Sequence, residues 1–138
     1  VAHDLGDVYR VPGETPHNNS ILFNALQRTL DRSPELADAE LDRTLAAIDA
    51  AVAPLAQARS RRPDAALLQR EFDLMARLLR HATARVKFAH GNGDRAALSA
   101  DLESLIADYK AQWLARNRPG GLADSVARLE RLRIDYEA

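Results

Sequence analysis

Apolar residues recur along the chain with the spacing of an α-helix in three long stretches. Within each stretch they follow one another at intervals of mainly three and four, which places them on one face of a helix. No stretch shows the sustained alternation of apolar and polar residues that marks a half-buried strand. The three apolar stripes are Leu41, Leu45, Ile48, Val52 and Leu55; Leu68, Phe72, Met75, Leu79, Ala82, Val86 and Ala89; and Leu98, Leu102, Leu105, Ile106, Tyr109 and Trp113.

Capping and breaking residues predict the bounds of the first two helices. A short first helix should run from about Ser20 to Arg32. The second should begin with Ser33 as its cap and Pro34 at the first helical position, where a missing N–H does no harm. Pro54 lies inside the apolar pattern of this second helix, so we expect it to kink the helix or loosen its last turn.

The remaining helices are separated by glycine-containing breaks. The third should run from Pro63-Asp64 to about His90, and two glycines within Gly91–Asp94 should end it before Asp94 caps the next helix. The fourth should run from about Arg95 to Asn117. A short fifth helix should then open near Gly121 and carry Leu122, Val126, Leu129, Leu132 and Tyr136 on its apolar face.

Short connections between long helices favour antiparallel neighbours, so the expected fold is all-α: an antiparallel helical bundle of three long helices plus two shorter ones. Charge agrees with this packing. Residues 1–58 carry four basic and nine acidic side chains, whereas residues 59–95 carry nine basic and four acidic ones, so an acidic second helix should lie beside a basic third helix.

The domain organisation follows from the same pattern. Residues 1–18 hold two Gly and two Pro, and we interpret them as a connection from an upstream domain, with residues 19–138 forming the bundle. The chain begins with Val1 and no signal-peptide pattern follows, so we expect a piece of a longer protein. Arg outnumbers Lys by 17 to 2, which is typical of a GC-rich bacterial genome.

Composition excludes several kinds of function. With 19 basic and 20 acidic residues among 138, the net charge of −1 argues against a general nucleic-acid binder or a membrane-surface protein. No apolar run approaches the roughly 20 residues of a membrane span. The absence of cysteine excludes disulfides, thiol catalysis and cysteine-ligated metals. The absence of cysteine does not indicate the cellular compartment.

Titratable residues provide few candidates for chemistry, and we predict no catalytic residue, no metal site and no cofactor. His3 with Asp4 and Asp7 is the nearest approach to a ligand cluster, but no two histidines have the helical spacing of metal ligands. His81 adjoins the apolar stripe of the third helix, where packing or solvent exposure is more common than a phosphorelay role. The 20 carboxyl groups fall mostly on predicted outer faces.

A basic stripe on the third helix has two interpretations. It could bind phosphate or an acidic partner. We favour a solvated face balanced by the acidic second helix, because the stripe contains no aromatic residue that could stack on a base. Its members are Arg70, Arg77, Arg80, Arg85 and Lys87.

The junction of the last two helices, Trp113 to Ser125, is the densest unusual segment. We expect the Trp113 ring to face inward, and Arg116 and Arg118 to reach outward. Together with Asn117, these residues are our tentative contact surface for a substrate or another domain. The alternative is a tight interhelical corner with no ligand.

This junction carries a resemblance to a known family. The run YKAQWLARNRPGGLADSVARLERL is similar to the C-terminal end of bacterial family 20 glycoside hydrolases, the β-N-acetylhexosaminidase-like proteins. The early run DLGDVYRVPGETPHNNSILFNAL resembles the link that leaves their catalytic (β/α)₈ barrel.

The resemblance implies that this chain is a non-catalytic helical C-terminal domain. It would support the upstream catalytic barrel of the same chain or take part in a homodimer. No residue here matches the family's catalytic Asp-Glu pair, so no catalytic role carries over. The second hypothesis is an independent helical bundle for protein–protein interaction or signalling, and the third is a small regulatory module that binds nucleic acid through the third helix.

Overall fold

The fold is an all-α helical bundle, as the apolar spacing predicts. The structure, a computed structural model, describes residues 1–12, 21–27 and 36–137, leaving out the side chain of Ile21, and contains no strand within those residues. Its α-helices are α1 (Ala2–Asp7), α2 (Ile21–Ala25), α3 (Asp38–Val52), α4 (Ala65–Ala89), α5 (Arg95–Arg116) and α6 (Leu122–Glu130). Short 3-10 helices follow α1, α3 and α6, at Val8–Arg10, Ala53–Gln57 and Arg131–Asp135.

Helix α4 is the centre of the bundle, with α3 on one side, α5 on another and α2 against it as well. Paired residues show that consecutive long helices are antiparallel, because their numbers rise on one helix as they fall on the next. Asp42 and Asp49 of α3 pair with Lys87 and Arg80 of α4, which confirms the predicted match of acidic and basic helices. The same reversal relates α4 to α5 and α5 to α6.

Two apolar clusters make up the core of the bundle. One joins α1, α2, α3 and α4 around Leu41 and Ile48, both fully buried. The other joins α5, α6 and the C-terminal 3-10 helix around Leu102 and Leu132. Leu26, just after α2, packs against both clusters, so this short helix bridges the two halves of the core.

The first twelve residues pack onto the bundle. Leu5 and Val8 are only 3% and 2% exposed, and both lie in the cluster that includes Leu41 of α3. Their burial explains why a short helical turn forms here, since an isolated helix of this length is unstable in water.

The expected bounds of α4 and α5 are confirmed. Asp94 caps α5 as predicted, with its carboxylate accepting hydrogen bonds from the Ala96 and Ala97 N–H groups at 2.8 and 3.2 Å. Gly91 has a φ of +86°, the left-handed conformation that ends α4. Pro54 also behaves as expected, because α3 gives way to a 3-10 helix at Ala53.

Three expectations about the helices need correction. The expected first helix does not continue toward Arg32, because α2 ends at Ala25 and residues 26–27 form a turn. The second helix does not run without interruption from Pro34, because Ala37 is extended (φ −68°, ψ 140°) and its N–H donates to the Glu40 carboxylate. The expected cap and first position, Ser33 and Pro34, lie outside the described residues. Met75 is not buried but 46% exposed, and Leu74 beside it is buried instead.

Candidate functional site

The junction between α5 and α6 is a compact corner closed by internal hydrogen bonds, here called the Trp113 corner (Trp113 to Gly121). The Trp113 indole N–H donates to the Arg118 carbonyl at 3.0 Å, which fastens the loop to the helix. Gly121 has a φ of +81°, and a Cβ there would lie 3.6 Å from the Trp113 ring. A Cβ at that distance would make ordinary contact with the ring, so glycine is favoured here by the left-handed backbone that the reversal requires.

Trp113 does not point into the core as expected. It is partly buried, packs against Tyr109 with ring centroids 6.2 Å apart, and belongs to neither apolar cluster of the described residues. The apolar stripe of α5 reaches the end of the bundle at this position, so the ring covers the loop instead of filling the interior.

Arg116 does not reach outward as expected. Its guanidinium donates to both oxygens of the Glu71 carboxylate, at 2.6 and 3.1 Å, and to Asp64 at 3.2 Å. Asp64 is also held by Arg62 at 2.8 Å. These four side chains tie the end of α5 to the start of α4, which makes Arg116 a structural tie between helices.

Asn117 and Arg118 complete the predicted contact residues. The Asn117 side chain donates to the Trp113 carbonyl at 3.2 Å, so it caps the end of α5. The Arg118 guanidinium is exposed and pairs with no described carboxylate. Of the four residues, Arg118 alone offers a charged head group to the surroundings, and the contact role of the corner stays a prediction.

The predicted basic stripe of α4 does not form one face. Arg77 turns toward α5, where it pairs with Asp108 and donates to Ser104. Arg80 and Lys87 turn toward α3, and Arg85 is buried. Because these cations have partners on different sides, a continuous anion-binding face on α4 is not present.

The burial of Arg85 creates a polar site that sequence reasoning missed. Its side chain is 0% exposed and donates to the Ala25 carbonyl at 2.7 Å, the Tyr136 hydroxyl at 2.7 Å and the Asp135 carboxylate at 2.8 Å. A buried cation requires this degree of hydrogen bonding. Arg85 therefore joins α4 to α2 and to the C-terminal segment.

His81, one turn before Arg85, extends this site toward α5. Its buried ring lies between two partners: Nδ1 is 2.8 Å from the Asp101 carboxylate and Nε2 is 3.2 Å from the Tyr136 hydroxyl. The Tyr136 ring meets the His81 ring edge-on at 6.1 Å. We call His81, Arg85, Asp101, Asp135 and Tyr136 the Arg85 cluster.

Burial changes the acid–base properties of the cluster. It lowers the pKa of His81 below the usual 6.5, and the hydrogen bond to Asp101 opposes this shift. Burial also raises the pKa of Tyr136, against the effect of nearby Arg85. At neutral pH the site thus holds a neutral imidazole and a neutral phenol beside a charged guanidinium.

One signal in the sequence could have pointed to this cluster. Arg85 lies directly before Val86 and three residues after Ala82, both members of the predicted stripe, so its position borders the buried face. The sequence alone predicts surface charge at such a border position, because arginine is seldom fully buried.

The remaining features bear on metal binding and on membrane insertion. His3 lies 3.5 Å from Asp4 and 3.6 Å from Asp7, but among the described residues no group of three or more potential ligands has an arrangement that could hold a metal ion. Within the same residues, no helix has both the length and the apolar character needed to cross a bilayer.

Comparison with known proteins supplies no relative. No family model, no curated protein and no solved structure matches the chain.

Proposed function

We propose that the chain is a non-catalytic helical C-terminal domain of a bacterial glycoside hydrolase resembling the β-N-acetylhexosaminidases of family 20. In this role it supports the catalytic barrel of the same chain or contributes to dimerisation. The proposal starts from the resemblance of the Trp113 corner to the end of those enzymes. One structural observation carries it further: the bundle uses its carboxylates to tie helices together.

These ties join α3 to α4, α4 to α5, and α5 to the C-terminal 3-10 helix. Arg116 donates to Glu71, Arg133 to Glu103 and Arg80 to Asp49. In each pair the shortest distance from a guanidinium nitrogen to a carboxylate oxygen is 2.6 Å. Carboxylates committed to guanidinium groups in this way orient helices and are poorly placed to transfer protons.

The direction of the pKa shifts supports the same conclusion. Glycoside hydrolysis normally requires a carboxylic acid whose pKa is raised, so that it can protonate the leaving group. Hydrogen bonds from arginine lower the pKa of Glu71 and Glu103, and they lower that of Asp64 to about 2. Within the described residues, every carboxyl group with a displaced pKa is displaced downward.

The partner surface in this proposal is centred on the Trp113 corner. Arg118 is exposed there, and Leu114, on the last turn of α5, is 52% exposed. A cation beside an apolar side chain suits a carboxylate-bearing, partly apolar surface on an adjoining domain.

The test begins with the gene that encodes the chain. We expect its reading frame to encode an upstream barrel, and we expect that barrel, expressed separately, to bind the 138-residue chain. Arg118→Ala should weaken this binding, whereas Arg61→Ala, which removes an exposed arginine from a different loop, should not. The purified chain alone should not cleave a chromogenic N-acetylglucosaminide.

Two results would overturn the proposal. One is a reading frame without a catalytic barrel. The other is glycosidase turnover by the purified chain that disappears when one of its own carboxylates is replaced.

A second candidate is an independent helical bundle for protein–protein interaction or signalling. The observation in its favour is the burial of Leu5 and Val8, because residues 1–12 then contribute to the bundle instead of leading away from it. A short reading frame that starts near Val1 and encodes a stable folded protein would favour this candidate.

A further inference from the structure

The hydrogen bonds of the Arg85 cluster fix the position of each proton. A guanidinium can only donate, so the Tyr136 oxygen accepts from Arg85. The Asp101 carboxylate can only accept from Nδ1, which leaves Nε2 of the neutral ring to accept the Tyr136 hydroxyl proton. His81 Nδ1 therefore carries the ring proton and donates it to the Asp101 carboxylate. The neutral Nδ1–H form of His81 is the one that satisfies every partner.

A second proton on His81 would disrupt this arrangement. It would bind at Nε2 and face the Tyr136 oxygen, which already accepts from Arg85. The new positive charge would also lie in a buried site beside a cation. Both effects oppose the closed arrangement, because a buried charge and an unsatisfied buried donor are unfavourable.

The other charges around His81 do not cancel this effect. On α4, Arg77 and Arg85 are both positive, and α2 presents the neutral carbonyl of Ala25 to Arg85. The C-terminal segment contributes Asp135, which is engaged with Arg85. On α5, Asp101 is negative, but its side chain is 42% exposed, so water screens its attraction.

We propose that His81 and Tyr136 form a pH-sensitive latch, in which protonation of His81 releases the segment Asp135–Glu137 from α4. In the open state Tyr136 leaves the core, and His81 gains access to water and binds a proton. The latch is a property of this bundle and does not depend on the proposed hydrolase role.

The direction of the pH dependence follows from linkage. The pKa of His81 in the closed state lies below the value of about 6.5 that it would have when open to water. The stability of the closed state is therefore complete above pH 6.5 and falls as the pH drops below that value. Because one proton is involved, the ratio of open to closed molecules should rise up to about tenfold per pH unit in this range.

A single fluorescent label on the C-terminal segment can detect the release. The chain has no cysteine, so Glu137→Cys creates one attachment point for an environment-sensitive dye. Between pH 8 and 5 we expect the dye signal to change below about pH 6.5. The fluorescence of Trp113, the single tryptophan, should stay constant over the same range and show that the bundle remains folded.

Matched histidine variants separate the latch from general acid effects. His81→Gln replaces the titrating ring with a neutral amide, and it should abolish the pH-dependent dye signal. His90→Gln makes the same change at the end of the same helix, where the side chain is 24% exposed, and it should leave the signal as in the parent. A dye signal that ignores pH, or one that persists in His81→Gln, would overturn the proposal.

If His81→Gln does not fold, nuclear magnetic resonance of the unaltered chain tests the protonation of His81 directly. With ¹⁵N-labelled histidine, we expect His81 to show the neutral Nδ1–H form at pH 7.5 and to titrate below 6.5. An Nε2–H form, or a pKa at or above 6.5, would overturn the latch.

Discussion

Replacing Arg85 with methionine removes the central donor of the Arg85 cluster while keeping a side chain of similar length. The change leaves the Ala25 carbonyl and the Tyr136 hydroxyl without this partner, and it leaves the Asp135 carboxylate, 11% exposed, without its buried cation. Removal of one member of a buried ion pair usually costs about 3–5 kcal/mol of folding free energy. We therefore expect Arg85→Met to lower the free energy of unfolding by about that amount.

The measurement is urea denaturation followed by circular dichroism at pH 7.5. For a small domain whose free energy changes by about 1–3 kcal/mol per molar urea, the midpoint should fall by roughly 1–5 M. Arg70→Met is the matched control, because Arg70 is exposed on the same helix and its loss should change stability by no more than about 0.5 kcal/mol. Adding Asp135→Asn to Arg85→Met should restore part of the loss, since the side chain that faced Arg85 is then neutral.

The reasoning would be refuted by a stability loss of less than about 1 kcal/mol in Arg85→Met with an unchanged urea dependence. That outcome would mean that the guanidinium is solvated in solution. It would also mean that the Arg85 cluster does not hold the C-terminal segment.

Three further predictions concern the helices and their ends. Leu79→Ala should lower the free energy of unfolding by about 2–3 kcal/mol, because Leu79 packs against the core. Arg80→Ala removes an exposed ion pair and should cost less than about 1 kcal/mol. Urea titration measures both. Asp94→Ala should cost about 0.5–2 kcal/mol, since the helix cap of α5 is lost, and Asp94→Asn should recover most of it in the same titration. Because the pKa of Glu71 is lowered, its pairing with Arg116 stabilises the fold above the usual pKa of 4.5, and this stabilisation is lost as the pH falls. Glu71→Gln should therefore make the thermal midpoint less dependent on pH on the acid side. An unchanged pH dependence would contradict a stabilising role for the Glu71–Arg116 pair.

Much of the fold could be predicted because its determinants are local. The bounds of α4 and α5 depend on glycines and on the Asp94 cap, which act within a few residues of where they stand. The antiparallel packing follows from short connections, and complementary charges on α3 and α4 agree with it. Helical spacing predicts that Met75 is buried, but it is exposed, because spacing alone does not show which positions of an apolar stripe are covered by neighbouring helices.

The polar sites were harder to predict because their partners are distant in sequence. Arg116 meets Glu71, 45 residues away, and Arg85 meets Asp135, 50 residues away. A stripe of basic residues looks the same in the sequence whether its members face water, a neighbouring helix or the core. Arg116 meets Glu71 because α5 packs beside α4, and Arg85 meets Asp135 because the C-terminal segment packs on α4. The contact role of the Trp113 corner stays a prediction.

The position of Arg85 has a consequence for the order of events in folding. Helices α3, α4 and α5 are consecutive and can dock as hairpins with short loops, whereas the contacts of Arg85 with Ala25 and Asp135 close loops of 60 and 50 residues. Contacts of this separation should form after the rate-limiting barrier, so the partners of Arg85 should have φ-values near zero. Loss of the guanidinium would then accelerate unfolding and leave the refolding rate almost unchanged. The lifetime of the folded chain would therefore depend strongly on Arg85.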